Sequence, residues 1–135
     1  MKATLITVLT IFLVFLSGCE TPVAIDPQSG QQQTARYQSG YFYAPLNAEI
    51  GDVFQTAIRE MDGMGYLRTG ELHKENHITI YARKVGDQKI TVRTYYPKDA
   101  EKLPAGAVSM IRIRVGNLGN LPESQLIYAR IRDSL

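Results

Sequence analysis

The sequence predicts an α+β two-layer sandwich, in which an antiparallel sheet of about five strands is covered on one face by two helices. Two observations predict this class. Several consecutive short segments alternate apolar and polar residues, which is typical of antiparallel strands with one buried face. Two other segments repeat apolar residues at steps of three and four, which is typical of amphipathic helices. The predicted order is strand, helix, four strands, helix.

Residues 1–18 have the pattern of a signal peptide. Lys2 precedes an uncharged apolar stretch from Ala3 to Leu16, and secretory signals begin with a cation followed by a short apolar run. The stretch has about 14 residues, whereas a helix that spans a membrane needs roughly 20. The segment therefore predicts export and not a permanent span.

The apolar stretch ends in Leu16-Ser17-Gly18-Cys19, which resembles the lipobox of bacterial lipoproteins. The resemblance implies cleavage between Gly18 and Cys19, a diacylglyceryl group on the Cys19 sulfur, and an acyl chain such as palmitate on the freed amine. Cys19 is the only cysteine, so the chain has no internal disulfide. The alternative interpretations are an ordinary secretory signal with an incidental cysteine and a short anchor that is never cleaved.

The residue after the cysteine and the segment that follows it predict the location of the protein. Asp at this position retains many Gram-negative lipoproteins at the inner membrane. Glu20 stands here, so we expect a lipid anchor in the outer membrane with the domain facing the periplasm. Residues 19–40 are rich in Gln, Ser, Gly and Pro, which predicts a flexible tether. Residues 41–135 then form a single domain.

The domain begins with a predicted strand, Tyr41–Ala44, followed by a helix. Asn47 is the candidate helix cap, and Gly63 and Gly65 end the helix. The apolar face of this helix is formed by Ile50, Val53, Phe54, Ala57, Ile58, Met61 and Met64.

Four predicted strands and a second helix complete the domain. The first of these strands is Tyr66–His73, and the second is His77–Arg83, where Ile78, Ile80 and Ala82 share one side. After a turn at Gly86-Asp87, Ile90, Val92 and Thr94 form the same pattern, as do Ile111, Ile113 and Val115 in the last strand. The second helix follows Asn120, with Pro122 in its first turn and an apolar stripe of Ile127, Tyr128, Ile131 and Leu135.

Residues 41–135 resemble a family of uncharacterised bacterial lipoproteins known as domain of unknown function 3568. The resemblance is carried by Ala44-Pro45-Leu46, Val53-Phe54, Ala57, Gly65, Ile113-Arg114-Val115-Gly116, Gly119-Asn120, Ser124, Ile127 and Ile131. These are mostly packing and turn positions. The resemblance implies this element order in a lipoprotein of similar length, and it brings no catalytic residue and no ligand.

Charge and motif content argue against several classes of function. The chain has 15 Lys and Arg against 13 Asp and Glu, so removal of Lys2 with the signal peptide leaves a net charge of about +1 and predicts no nucleic-acid partner. His73-Lys74-Glu75-Asn76-His77 holds two imidazoles and a carboxylate. Its flanks read as strands joined by a turn at Glu75-Asn76, which separates the two rings. We therefore expect no metal site, no catalytic residue and no cofactor besides the lipid on Cys19.

The polar face of the predicted sheet is the candidate binding site. Tyr81, Arg83, Arg93, Tyr95, Arg112 and Arg114 point to this face. Tyr and Arg are the residues that interfaces favour, because they combine large area with directional donors. The expected partner is an envelope protein or an anionic glycan. The alternative interpretation is a solvated face covered by cross-strand Tyr and Arg pairs.

The sequence thus predicts a non-enzymatic binding or structural module of the cell envelope, held to a membrane by lipid. Two other functions remain open. One is a small envelope hydrolase or metal-binding protein, which would need convergent polar groups in a concave site. The other is an assembly subunit that adds an exposed edge strand such as Tyr41–Ala44 to a partner sheet.

Overall fold

In the computed structural model, which describes residues 21–25, 35–99 and 103–135, these residues form one antiparallel seven-stranded sheet and two helices. The elements are β1 (Thr21–Val23), β2 (Ala35–Gln38), β3 (Tyr41–Leu46), α1 (Ile50–Gly63), β4 (Leu67–His73), β5 (His77–Lys84), β6 (Gln88–Tyr95), β7 (Ser109–Val115) and α2 (Leu121–Asp133). The strands lie in the order β1-β2-β3-β7-β6-β5-β4. The predicted α+β class and antiparallel sheet are confirmed.

The predicted number of about five strands and the predicted order of strand, helix, four strands, helix are both wrong, because β1 and β2 precede the first predicted strand. Val23 of β1 pairs with Ala35 of β2, and both side chains are buried. The tether predicted over residues 19–40 is therefore wrong for residues 21–23 and 35–38, which extend the sheet. Strands of three and four residues are too short to show an alternating pattern. Residues 19–20 and 26–34 of the predicted tether lie outside the described residues.

The sheet has an inner face, against which both helices pack, and an outer face on the opposite side. The predicted alternation along β5, β6 and β7 is confirmed, since the inward residues Ile80, Val92 and Ile113 are all buried. The core between sheet and helices also contains Phe42, Ala44, Val53, Ala57, Met61, Ile111, Ile127 and Ile131. Burial of these apolar side chains is the main stabilising contribution to the fold.

Helix α1 begins later than the predicted cap, because Glu49 and not Asn47 is its N-cap residue. The Val53 N–H donates to the Glu49 carbonyl oxygen at 3.0 Å, and no side chain caps this end. The helix ends at Gly63, and Gly65, with a φ of 78°, turns the chain into β4. A left-handed residue at this point suits glycine, which has no Cβ.

Helix α2 begins as predicted, with Asn120 as its cap. The Asn120 Oδ1 accepts a hydrogen bond from the Glu123 N–H at 3.1 Å, which satisfies one of the free donors of the first turn. Ile127, Tyr128 and Ile131 form the predicted buried stripe, but Leu135 is wrong, since it follows the helix and is 46% exposed. Within the described residues, no helix has the length and apolarity needed to cross a membrane.

Candidate binding face

The outer face of the sheet brings together arginine and tyrosine side chains from strands that are distant in sequence. Tyr43 lies opposite Arg112, which in turn lies opposite Arg93. Thr79 continues this row on β5. Arg114 points to the same face two residues beyond Arg112, because alternate residues of a strand share one side.

The outer face is cationic. Its strand positions include Arg36, Arg83, Lys89, Arg93, Arg112 and Arg114. Among the described strand residues of this face, none is Asp or Glu. Arg83 is paired with Asp87 in the β5–β6 turn, whereas Glu49, Asp52, Glu60 and Asp62 lie at the start of α1 or within it. A chain with a net charge of only +2 thus concentrates positive charge on one side of its sheet.

Arg93 and Arg112 are held by neutral groups. The Arg93 Nε donates to Thr79 Oγ1 at 2.9 Å, and the Arg112 guanidinium lies 4.5 Å from the centre of the Tyr41 ring. The Arg112 Nε is buried and has no hydrogen-bond acceptor among the described residues. Like charges on directly opposite residues destabilise a sheet. These contacts orient the two guanidinium groups but do not neutralise them.

Two titratable groups on the face respond to this positive charge. The pKa of Tyr41 is lowered, chiefly because Arg114 donates a hydrogen bond to its hydroxyl, with further effects of Arg112 and Arg93. The pKa of His77 is lowered, first by burial and then by repulsion from cations that include Arg93. By contrast, burial raises the pKa of Tyr95.

Two shallow clefts open on the outer face. The first has a volume of about 250 Å³, which is close to the lower limit of about 300 Å³ for small-molecule sites. It is lined by Tyr43, Asn76, His77, Arg93, Tyr95, Tyr96, Lys98 and Arg112. The second has a volume of about 210 Å³ and is lined by Tyr41, Lys89, Thr91, Arg114, Gly116 and Asn117.

Hydrogen bonds already occupy two polar groups of the first cleft. The Tyr96 hydroxyl donates to Glu49 Oε2 and accepts from the Ile50 N–H at 3.4 Å. The His77 Nδ1 lies 2.8 Å from Asn76 Oδ1, within hydrogen-bond distance.

The six residues predicted for the binding face all point outward, but they are not all close together. Arg93, Tyr95 and Arg112 line the first cleft, and Arg114 lines the second. Tyr81 and Arg83 line neither of these two clefts.

Sequence reasoning missed three contributors to this face. Arg36 lies 4.7 Å from the centre of the Tyr43 ring, and Tyr41 contacts both Arg112 and Arg114. The signal for Tyr41 and Tyr43 was their alternation with buried Phe42 and Ala44. Arg36 showed no such signal, because its strand has only four residues.

The two histidines lie on opposite sides of the sheet. His73 pairs with Ile78 and therefore faces inward, where its ring lies 4.9 Å from that of Phe54 and its Nε2 lies 3.0 Å from Glu71 Oε2. His77 lines the outer cleft. Among the described residues, no group of three or more His, Cys, Asp and Glu side chains is placed to hold a metal ion.

The predicted edge strand is wrong. β3, which contains Tyr41–Ala44, pairs with β2 on one side and with β7 on the other. In the described part of the sheet, the edge strands are β1 and β4. The predicted cleavage and lipidation site at Gly18 and Cys19 lies outside the described residues.

Comparison with known sequences identifies one family. A family model described as "Protein of unknown function (DUF3568)" matches residues 2–134. No curated protein matches the sequence.

Proposed function

The chain belongs to the DUF3568 family, and we propose that it is a lipid-anchored protein of the cell envelope whose outer face is a non-enzymatic binding site for an anionic partner. In this proposal, the signal peptide is cut between Gly18 and Cys19, and lipid on Cys19 holds the domain in the outer membrane, facing the periplasm.

The sequence supports the anchor. A single cation and an apolar run precede Leu16-Ser17-Gly18-Cys19, and the chain has no other cysteine. Burial of acyl chains contributes about 0.8 kcal/mol per methylene, so two or three chains on one residue make dissociation from a membrane negligible.

The start of β1 gives this anchor a short reach. Thr21, the first residue of β1, follows Cys19 by two residues. Two extended residues span at most about 7 Å. A lipidated Cys19 would therefore keep the β1 edge of the sheet close to the lipid headgroups, in contrast to the long tether that composition suggested.

The binding role rests on one observation. The described strand positions of the outer face concentrate cations and include no carboxylate. A face adapted only to water would gain stability from cross-strand pairs of opposite charge. Instead, Arg93 and Arg112 are directly opposite. Repulsion between them is relieved when an anion binds, so this arrangement favours a partner of negative charge.

The lining of the clefts favours binding over hydrolysis. Among the described residues that line them there is no carboxylate, thiol or serine. To act as a general base, His77 would need a serine or thiol nucleophile to deprotonate and a carboxylate to orient its ring. Arginine and phenol groups instead bind and orient an anion.

Metabolic labelling tests the anchor. Cells that express the full-length protein receive an alkyne-tagged palmitate, and we expect label on the wild type and none on Cys19→Ser, which loses the acceptor sulfur. Glu20→Asp is the matched variant, since it should keep the label and move to the inner-membrane fraction of a Gram-negative host. Equal labelling of wild type and Cys19→Ser would overturn the anchor.

Cation-exchange chromatography tests the binding face with two charge-matched proteins. Arg93→Gln/Arg112→Gln and Arg59→Gln/Arg130→Gln have the same net charge, but the second pair lies on the helices. If the outer face carries the attraction, the first protein elutes at clearly lower salt than the second. Elution of both at the same salt would contradict an anion-binding outer face.

A further inference from the structure

The two clefts on the outer face are built from equivalent positions of the same strands. Tyr43 and Tyr41 are two residues apart on β3, and Arg112 and Arg114 are two residues apart on β7. Two residues advance an antiparallel strand by about 6.8 Å. Each cleft therefore has a tyrosine of β3 and an arginine of β7 at equivalent strand positions, displaced by one repeat along the sheet.

From this repetition we propose that the outer face binds a linear acidic polysaccharide, with two neighbouring acidic sugar units in the two clefts. This inference rests on the proposed function, because it names the chemistry of the anionic partner. Each acidic sugar unit that the clefts would bind carries a carboxylate or phosphate group on a small polyhydroxylated ring.

The anionic group is recognised by the arginines. A guanidinium presents parallel N–H donors that match the oxygens of a carboxylate or phosphate. The hydrogen bond from Arg93 Nε to Thr79 fixes that side chain and leaves its terminal nitrogens for a ligand. In the second cleft, Arg114 and Lys89 provide the cations.

Neutral polar groups complete each cleft and suit sugar hydroxyls. Asn76 and His77 line the first cleft, and Thr91 and Asn117 line the second. Amide and hydroxyl groups both donate and accept, as sugar hydroxyls do. The small volume of each cleft limits it to about one ring, so a longer ligand must continue from one cleft into the other.

The tyrosine rings favour a glycan over a nucleic acid. Single-stranded nucleic acids bind by stacking their bases on free aromatic rings. Here the Tyr41 ring already contacts the guanidinium groups of Arg112 and Arg114, at 4.5 and 4.9 Å, and the Tyr43 ring contacts Arg36. Recognition by charge and hydrogen bonds, without stacked bases, therefore fits this face better.

Calorimetric titration of the full-length protein in detergent tests the proposal. The probes are galacturonate oligomers of one to four units, with neutral galactose oligomers, phosphorylated mannose oligomers and oligothymidylate as comparison arms. We expect the affinity to rise about tenfold or more from one acidic unit to two, because the second unit binds with a high effective concentration. Neutral oligomers should not bind, and tighter binding of the uronate or of the phosphate series identifies the source of the acidic group.

A variant in the second cleft separates the two subsites. Arg114→Gln should bind a single galacturonate in the first cleft only, so that the monomer stoichiometry falls from two to one and the gain from one unit to two is lost, while Arg59→Gln on helix α1 should keep both. Thermal unfolding midpoints check that each variant folds. If Arg114→Gln does not fold, Lys89→Gln tests the same cleft.

Two results would overturn the proposal. One is an affinity for galacturonate and phosphorylated oligomers that does not change between one and two units. The other is binding of oligothymidylate as tight as that of either acidic glycan, which refutes the glycan but leaves an anion-binding face standing. If no anion binds and the charge-matched proteins elute together, the proposed function fails as well.

Discussion

Gly40 and Gly119 are in backbone contact across the end of the sheet. A Cβ atom on Gly119 would lie 2.4 Å from the Gly40 carbonyl oxygen, and one on Gly40 would lie 2.8 Å from the Leu118 carbonyl oxygen. Both glycines have a positive φ, 79° and 84°. The turn between β2 and β3 thus packs directly against the loop that leads into α2, which gives a physical reason for glycine in the Gly119-Asn120 pair.

Replacement of Gly119 by alanine should therefore destabilise the fold strongly. We expect Gly119→Ala to lose about 3 kcal/mol or more, since left-handed strain adds to a clash with backbone atoms. Gly116→Ala is the control, because Gly116 also has a positive φ but no atom within 4 Å of the added Cβ, and it should lose about 1 kcal/mol. Urea unfolding measures both, and equal losses would show that the contact contributes nothing.

The β1–β2 extension predicts resistance to proteolysis. Arg36 lies in β2 and pairs with Tyr43, whereas Lys98 is exposed beyond the end of β6. In limited trypsin digestion followed by mass spectrometry, cleavage should occur after Lys98 well before it occurs after Arg36, because a protease needs a locally unfolded segment. Early cleavage after Arg36 would instead indicate that this segment is a flexible tether.

A half-buried cluster formed by the residue before β4, by the end of β5 and by the first turn of α2 predicts a stability loss at high pH. The Tyr66 hydroxyl donates to Glu123 Oε1 at 2.9 Å, and Lys84 Nζ also donates to this carboxylate. Burial and this hydrogen bond raise the pKa of Tyr66 from 10 to about 12. A raised pKa favours the protonated form in the folded state, so its stabilising contribution is present below pH 10 and lost as the pH rises toward about 12.

Phenolate absorbance measures this pKa, with Tyr66→Phe identifying the contribution of Tyr66. In Glu123→Gln we expect the pKa of Tyr66 to fall toward its ordinary value, because the neighbouring negative charge is gone. An unchanged titration in Glu123→Gln would mean that burial alone sets this pKa.

His77 reports the charge of the outer face. Since repulsion from Arg93 contributes to its lowered pKa, Arg93→Gln should raise that pKa toward 6.5, and Arg59→Gln should leave it unchanged. The chain has only two histidines, so nuclear magnetic resonance of the ring protons resolves both titrations. A His77 titration that does not respond to Arg93→Gln would show that the guanidinium is screened from the ring.

The faces of the sheet were predictable because the alternation depends on neighbouring residues. Ile80 and Tyr81, for example, point to opposite sides in any strand that contains them both. The clefts were not predictable, since they depend on the pairing of β3 with β7, which brings Tyr43 to Arg112 across most of the domain. The short β2 pairs with β3, and β1 pairs in turn with β2. Neither pairing leaves a signal in a segment whose composition is rich in polar residues.

The most direct test of the central claim is to record which arginine side chains sense an acidic ligand. The full-length protein is titrated with a galacturonate dimer while the Nε–H resonances of its arginines are followed. We expect saturable shifts for Arg93, Arg112 and Arg114, and none for Arg59 and Arg68 on the helix side. Shifts of equal size at all arginines, or confined to Arg59 and Arg68, would contradict a binding site on the outer face.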